Sequence, residues 1–510
     1  MGWLVSGLKL IALILLAWII NAALGYETKV DSLILLSITV AWMKTNRVGV
    51  WLFAALVLTA TFYIPVSWNY AHPNLTIVSS LIETNSSEAL EFFKDLEVST
   101  LAIAAFFAVV SFSLFRFVPK IQGMKTSIFF FVLFSFLLLD KPVRTIADRN
   151  IEDHYTQALL SNMRYAPVRF FYDWYDSYNK YHQYNAQIMA QREIPSSWVI
   201  TNKPQQAKNT IFVIGESVRK DYMNAYGFSL DNTPFMSTAK GELWQDFLSP
   251  GPNTFTSVMR FVTLNDGVNI ELNNNINTLA KAADIETFWI SNQGRMGEFD
   301  TGISAIANYA DHVSFTRSGS FRDSNIYDSI LLKKVEQALA SSSKSKLIVV
   351  HLIGSHPRFC DRVEGEVKFD FNGDKISCYI ESIKQTDSLL AEIDAMAQQQ
   401  ASPYSLLYVS DHGLGHRDNG QNLRHDPEVK QSYQVPLFIT GSSFESRELV
   451  QSPRNGFALI KALSELMGIS SQQLDALPSF FSPYKDKPIV NNGEGELISL
   501  DALKDDSIHM

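Results

Sequence analysis

Five apolar runs crowd into the first 140 residues, at about 10–24, 30–43, 48–66, 98–118 and 126–139. A helix needs ~20 apolar residues to cross a bilayer, and some of these runs are shorter. Each alone would suit a buried core helix, but five in succession require a membrane. The first run has no small-residue cleavage site and further spans follow it, so it reads as an anchor rather than a removed signal peptide. Basic residues set the orientation. Lys44 and Arg47 lie between the second and third runs, and Arg116, Lys120 and Lys125 between the fourth and fifth. If spans alternate, both connections are cytoplasmic, and everything after residue 140 is expected outside, with the 67–97 connection.

That outer connection contains the polar stretch 81–88, which opens a predicted helix with Ser86 or Ser87 near its cap. A solvated loop and a substrate-contacting flap fit it equally. Residues 141–207 read as a bridge. Their aromatic stretch, 170–184, is interleaved with Asp, Lys and His, a composition suited to helices lying at the headgroup level. The expected domains are thus 1–140, a five-span membrane domain; 141–207, the bridge; and 208–510, a catalytic domain.

A net charge of −9 with no basic stripe excludes nucleic acid as a partner. The two cysteines are Cys360 and Cys378. They read as buried thiols or, in an exported domain, as a disulfide worth roughly 3 kcal/mol in the chain-entropy model. The outward topology favours the disulfide.

From about residue 208 the pattern changes. Short apolar runs at 210–214, 287–290, 347–352 and 406–409 read as buried strands, with helices predicted between them at 326–341 and 380–399. Strands alternating with helices imply an α/β/α domain with a mostly parallel central sheet. Ligands of such sheets sit beyond the carboxyl ends of the strands. There the chain reads Gly215-Glu216-Ser217, Ser410-Asp411-His412-Gly413 and His351-Leu352-Ile353-Gly354-Ser355-His356. An isolated Asp-His pair at a strand end is usually a cap. Three such endings on separate strands point instead to a metal held by Glu216, Asp411 and His412, and a carboxylate–imidazole set suits zinc or manganese. His425 falls in a second polar cluster, whereas His416 sits among Gly, Arg and Asp and reads as surface.

These motifs, together with Asp231-Asn232-Thr233-Pro234-Phe235, Ser291-Asn292-Gln293-Gly294 and the run from His351 to Arg362, resemble the bacterial phosphoethanolamine transferases. These are inner-membrane members of the alkaline phosphatase/sulfatase superfamily with a periplasmic catalytic domain. The resemblance covers the whole chain and is nearest to the branch that decorates osmoregulated periplasmic glucans. It implies one zinc ion held by Glu216, Asp411, His412 and a threonine nucleophile. Thr254 aligns with that nucleophile and Thr256 is the alternative; without the resemblance, Thr254 would read as a helix N-cap. His356 and His425 match residues that contact phosphate, assist the leaving group or hold a second ion.

The resemblance further implies headgroup contacts at Thr84 and Glu88, although a third such position, usually Asn, is Ser80 here. It places substrate contacts at Asn292 and Arg295. The implied reaction moves phosphoethanolamine from phosphatidylethanolamine to a glycan, either a periplasmic glucan or a lipopolysaccharide core sugar, through a covalent enzyme intermediate. The protein is expected to act as a monomer. The alternatives are a lipid A phosphoethanolamine transferase and a phosphoglycerol transferase of the lipoteichoic acid type. The lipid A-modifying members carry a disulfide bracketing the nucleophile, and this chain has no cysteine near Thr254. A sulfatase is disfavoured because the usual Cys- or Ser-based motif ending in Pro-x-Arg is missing.

Overall fold

All five apolar runs are helical in the computed structural model, which describes residues 2–70, 72–83, 98–148, 155–192, 194–295, 302–318, 327–342 and 344–508. Four of the helices are long and apolar enough to cross a membrane: Val5–Ala23, Arg47–Trp68, Val98–Phe117 and Met124–Ile146. The remaining one, Val30–Met43, has 14 residues and rises only about 21 Å. It nevertheless joins opposite ends of the helical unit. At one end Asp31 pairs with Arg164, and nearby Tyr26 donates to Asp173 and stacks on His72 at 4.9 Å. At the other end the Lys44 ammonium donates to the carbonyls of Arg116 and Val118, at 2.7 and 2.6 Å, closing the last turn of Val98–Phe117. The two basic connections therefore meet on one side of the helices, as alternating spans require. Leu16, Ile20, Leu35, Phe53 and Val57 fill the centre of this unit, while Trp51, Phe62, Phe106 and Phe129 face outward, where lipid is the solvent.

The chain divides into two compact units, 1–183 and 184–510. In the second, eight strands form one sheet: β1 (Asn209–Gly215), β2 (Gly241–Trp244), β3 (Glu286–Arg295), β4 (His312–Ser318), β5 (Lys346–His351), β6 (Tyr404–Ser410), β7 (Leu437–Gly441) and β8 (Arg447–Val450). Their spatial order is β8-β2-β7-β6-β1-β5-β3-β4, and β7 alone runs antiparallel to its neighbours.

Alternation of side chains explains why both faces are covered. Phe212, Ile214, Trp289, Val349 and Leu407 pack on one face, against the helices Thr254–Val262, Ile276–Ala282 and Leu459–Met467. Ile211, Val213, Ile348, Val350 and Tyr408 pack on the other, against Leu332–Ala340 and Asp374–Gln398. The helix predicted at 380–399 begins earlier, at Asp374, since Cys378 and Tyr379 continue its buried face. Cys360 and Cys378 are joined by a disulfide, tying the loop after β5 to that helix.

Candidate metal centre and its surroundings

The sheet order places β6, β1, β5 and β3 side by side, so their carboxyl ends form one edge. Glu216 follows β1 and Asp411 and His412 follow β6, and all three are essentially inaccessible to solvent. One potential ligand atom from each lies within 4.8 Å of the others. Backbone geometry holds them there. The Ser217 N–H donates to Asp411 Oδ1 at 2.9 Å, and the Ser217 hydroxyl donates to Glu216 Oε1 at 2.6 Å. Ser217 adopts φ +61°, a left-handed conformation costly for a residue with a Cβ and retained where surrounding bonds enforce it. Gly413 admits no side chain for a different reason: a Cβ there would meet the Gln431 carbonyl oxygen at 2.1 Å.

Thr254 opens the helix Thr254–Val262, whose N-cap is Asn253, accepting from the Thr256 N–H at 2.9 Å. Thr254 is therefore not the cap. Its hydroxyl lies 3.2 Å from Glu216 Oε2 and 3.4 Å from His412 Nε2. Thr256, by contrast, is buried in the first turn against Gly251.

The donor set fits a cation. His412 Nδ1 donates to the Gly413 carbonyl at 2.7 Å, a bond that turns Nε2 toward two carboxylates, 3.4 Å from each, as the nitrogen on which a bound metal would replace the proton. Asp411 Oδ2 is buried with no hydrogen-bond partner. Burial, reinforced by the Glu216 charge, pushes Asp411 up to about 7. Burial lowers the His412 imidazole, but Asp411 and Glu216 outweigh it and bring it up to about 9. Two buried carboxylates this close need positive charge between them, and a divalent metal supplies it.

Of the other imidazoles, His425 lies over His412 with ring centroids 4.7 Å apart, and burial followed by the His412 charge holds it down at about 3. His356 is half-buried and close enough to act electrostatically on both Glu216 and His425. His351 instead packs edge-on against Trp289, in the core. Among the described residues, no second group of three potential metal ligands forms around His356 and His425.

The family resemblance points to Asn292, but the structure does not bring it to the site. Asn292 is fully buried, donating to Asp328 at 2.8 Å and accepting from Thr316. Gln293, one residue on and so on the other side of the strand, donates to Glu216 Oε2 at 3.2 Å and to the Leu352 carbonyl at 2.7 Å. The register of β3 against β4 shifts between Ser291 and Gly294, so period-2 alternation in the sequence did not separate the two. Asp328 accepts from the N–H groups of Ile353 and Gly354, at 2.9 and 2.8 Å, and so clamps the turn leading to His356. Arg295 ends β3. Thr84 and Glu88 lie outside the described residues. His416, read as surface, is half-buried between Tyr222, Arg219 and Asp506, because the 504–508 segment folds back over its loop.

An α/β/α sheet with two carboxylates, an imidazole and a helix-start hydroxyl at its carboxyl edge defines a sulfatase-like enzyme on a membrane anchor. A family model described as Sulfatase matches residues 208–469. The phosphoethanolamine transferase OpgE of Escherichia coli (strain K12) is 30% identical over 486 residues, covering 92% of this chain and 90% of that protein. A putative phosphoethanolamine transferase of Haemophilus influenzae is 30% identical over 421 residues, covering 79% and 82%. The chain belongs to the phosphoethanolamine transferase family.

Among solved structures, the integral membrane lipooligosaccharide phosphoethanolamine transferase A of Neisseria meningitidis shares the fold. Its TM-score is 0.57, over 86% of this chain and 88% of that one, at 16% identity. The zinc complex of the C-terminal periplasmic domain of EptC from Escherichia coli matches with a TM-score of 0.54, over 61% and 97%, at 21% identity. Four helices long and apolar enough to cross a membrane precede the catalytic unit of this chain, the arrangement of a multi-pass membrane protein.

Proposed function

We propose that this chain transfers phosphoethanolamine from phosphatidylethanolamine to an envelope glycan, a periplasmic glucan or a lipopolysaccharide core sugar, by way of a phosphoethanolamine adduct on Thr254. The observation that carries the proposal is the position of the Thr254 hydroxyl, in reach of both Glu216 and His412 at the start of a helix. Glu216, Asp411, His412 and Thr254 would hold one zinc ion, which when bound supplies Lewis acidity and lowers the pKa of the hydroxyl.

Thr254 Oγ1 attacks the phosphorus, and the bond to the diacylglycerol oxygen breaks. His356 or His425 gives that oxygen its proton. The diester's negative charge favours the protonated form of His425, which burial otherwise disfavours. The helix start favours the anionic phosphoryl group on Thr254. An acceptor hydroxyl then attacks the adduct, with an imidazole as general base, and frees Thr254. Gln293 keeps the Glu216 carboxylate oriented throughout, and Arg295 is the candidate for a further phosphate contact. Thr84 and Glu88 are proposed to receive the ethanolamine headgroup, where a carboxylate suits the ammonium.

The glucan branch is supported by the disposition of cysteines, since the sole pair lies at 360 and 378, away from Thr254. Mass spectrometry of the purified chain tests the mechanism: the adduct is expected on Thr254 and absent from Thr254→Ala. An adduct on Thr256 would overturn the assignment. Incubation with labelled phosphatidylethanolamine and phosphatidylglycerol separates this reading from a phosphoglycerol transferase. Glycan profiling of a deletion strain identifies the acceptor.

A further inference from the structure

The residues around His416 are more elaborately bonded than a surface loop requires. Arg219 lies three residues beyond Glu216, and its side chain is fully buried. Its guanidinium forms two bonds to Asp221, at 2.9 and 2.7 Å, and a third, at 3.2 Å, to the carbonyl of Leu414, on the loop after His412. It also donates to Asp506, at 2.9 Å to Oδ2 and 2.7 Å to the backbone carbonyl.

The same Asp506 Oδ2 accepts from the His416 backbone N–H at 2.7 Å, and the Asp506 carbonyl faces His416 Nδ1 at 3.0 Å. His416 Nε2 in turn meets the Tyr222 hydroxyl at 2.8 Å. A single carboxylate oxygen thus joins the loop that follows Glu216 to the loop that follows His412.

The segment carrying Asp506 is itself held in place. Asp506 N–H donates to Gln431 Oε1 at 2.7 Å, and Gln431 Nε2 donates to Asp505 and Ser507, at 2.8 and 2.9 Å. The Lys504 N–H donates to the Glu428 carbonyl at 3.0 Å, and the Lys504 carbonyl accepts from the Lys430 N–H at 2.9 Å. The Gln431 carbonyl is the atom that leaves Gly413 no room for a side chain, so this anchoring residue also presses on the residue after His412.

We infer that residues 504–508 form a positioning strap for the metal centre, with Asp506 as the positioning residue that fixes the spacing between Glu216 and the Asp411–His412 pair. The inference rests on the proposed zinc site and deepens it. Asp506 touches neither substrate nor metal ligands. It acts through Arg219 and the His416 backbone, and the expected loss on its removal is therefore at the lower end of that seen for residues supporting metal ligands.

The test uses the full chain in detergent, with Asp506→Asn as the variant that keeps shape but removes charge. Lys203→Ala is the control, since its ammonium pairs with the exposed Asp284, outside the strap and the loops it joins. Zinc affinity is measured by chelator competition. Hydrogen–deuterium exchange of segments 216–222 and 411–417 is followed in the metal-free protein. Asp506→Asn is expected to weaken zinc binding about 10-fold and to speed exchange in both segments. It should also lower kcat at limiting zinc with KM for the lipid donor unchanged, and kcat should recover at saturating zinc. Lys203→Ala should match wild type in every readout. Unchanged zinc affinity in Asp506→Asn would overturn the inference, even if melting temperature falls, because the role would then be stability alone. A wild-type chain that takes up no zinc would overturn the metal reading itself. Exchange in the metal-free protein is independent of that result: unchanged rates in both segments count against the strap.

Discussion

Glu216, Asp411 and His412 are buried together, so the charge on each depends on the others and on any ion they hold, which makes their substitution informative. Asp411→Asn removes one negative charge and one ligand, and is expected to weaken zinc binding by about 100-fold or more, taking adduct formation with it. Metal analysis together with mass spectrometry of the same preparation checks both losses. His425→Ala tests a different role. A group that moves a proton contributes ~10²–10⁴-fold, so single-turnover transfer should slow by that order while zinc content stays at the wild-type value. A loss of zinc in His425→Ala would instead place His425 among the ligands. Gln293→Ala leaves Glu216 without its amide partner; a drop in zinc affinity smaller than that of Asp411→Asn is expected by the same chelator competition.

Loops at the carboxyl edge of the sheet act as elements through their anchors. The disulfide closes the span from Cys360 to Cys378, a sequence separation of 18, and holds the loop that follows His356 on the helix Asp374–Gln398. Replacing both cysteines with serine is expected to cost about 3 kcal/mol by the chain-entropy model, measured as a shift in the denaturation midpoint of the oxidised wild type against the variant. Reductant should lower the wild type to the variant and leave the variant unmoved.

The strap carries a pH dependence of known sign. Burial raises the Asp506 carboxyl, but bonds from His416 and the charge of Arg219 outweigh it and hold it down at about 2. A depressed carboxyl contributes stability above its unfolded value, near 4, and loses it as pH falls toward 2. The melting-temperature difference between wild type and Asp506→Asn should therefore be full at pH 6 and shrink steadily below pH 4. Partial exposure of this carboxylate keeps the difference small.

For the whole molecule, the membrane half predicts where each connection lies. Reporter fusions after residues 44 and 120 should behave as cytoplasmic, and fusions after residues 72 and 205 as periplasmic. A cytoplasmic signal after residue 72 would mean that the 14-residue helix Val30–Met43 does not cross. Its end-to-end contacts at Asp31 and Lys44 argue that it does. Chelation of zinc should destabilise the catalytic unit, and restoring zinc at a hundredfold excess over Kd should return about 2.7 kcal/mol, read as a shift in its melting temperature.

The strand-end motifs and five apolar runs were determined by the sequence itself, because each depends on local order. A hydrophobic run long enough to span, a strand buried on both faces, and a polar residue just past its end are all properties of neighbouring residues. The ligand set Glu216, Asp411 and His412 was legible in that way, as were four of the eight strands. The short inner strand β2 and the edge strands β4 and β8 carry weaker patterns and were not legible, and β7, though apolar and buried, was not picked out. The choice of Gln293 over Asn292 turned on which face of β3 each occupies, and the contact of Thr254 with Glu216 on where a helix start meets a sheet edge 38 residues away in sequence. His416 shows the limit most clearly. Its neighbours in sequence are those of a surface loop, and only the return of Asp506, 90 residues later, places it within the frame of the metal centre. Such pairings are set by how distant segments pack, and no local pattern records them.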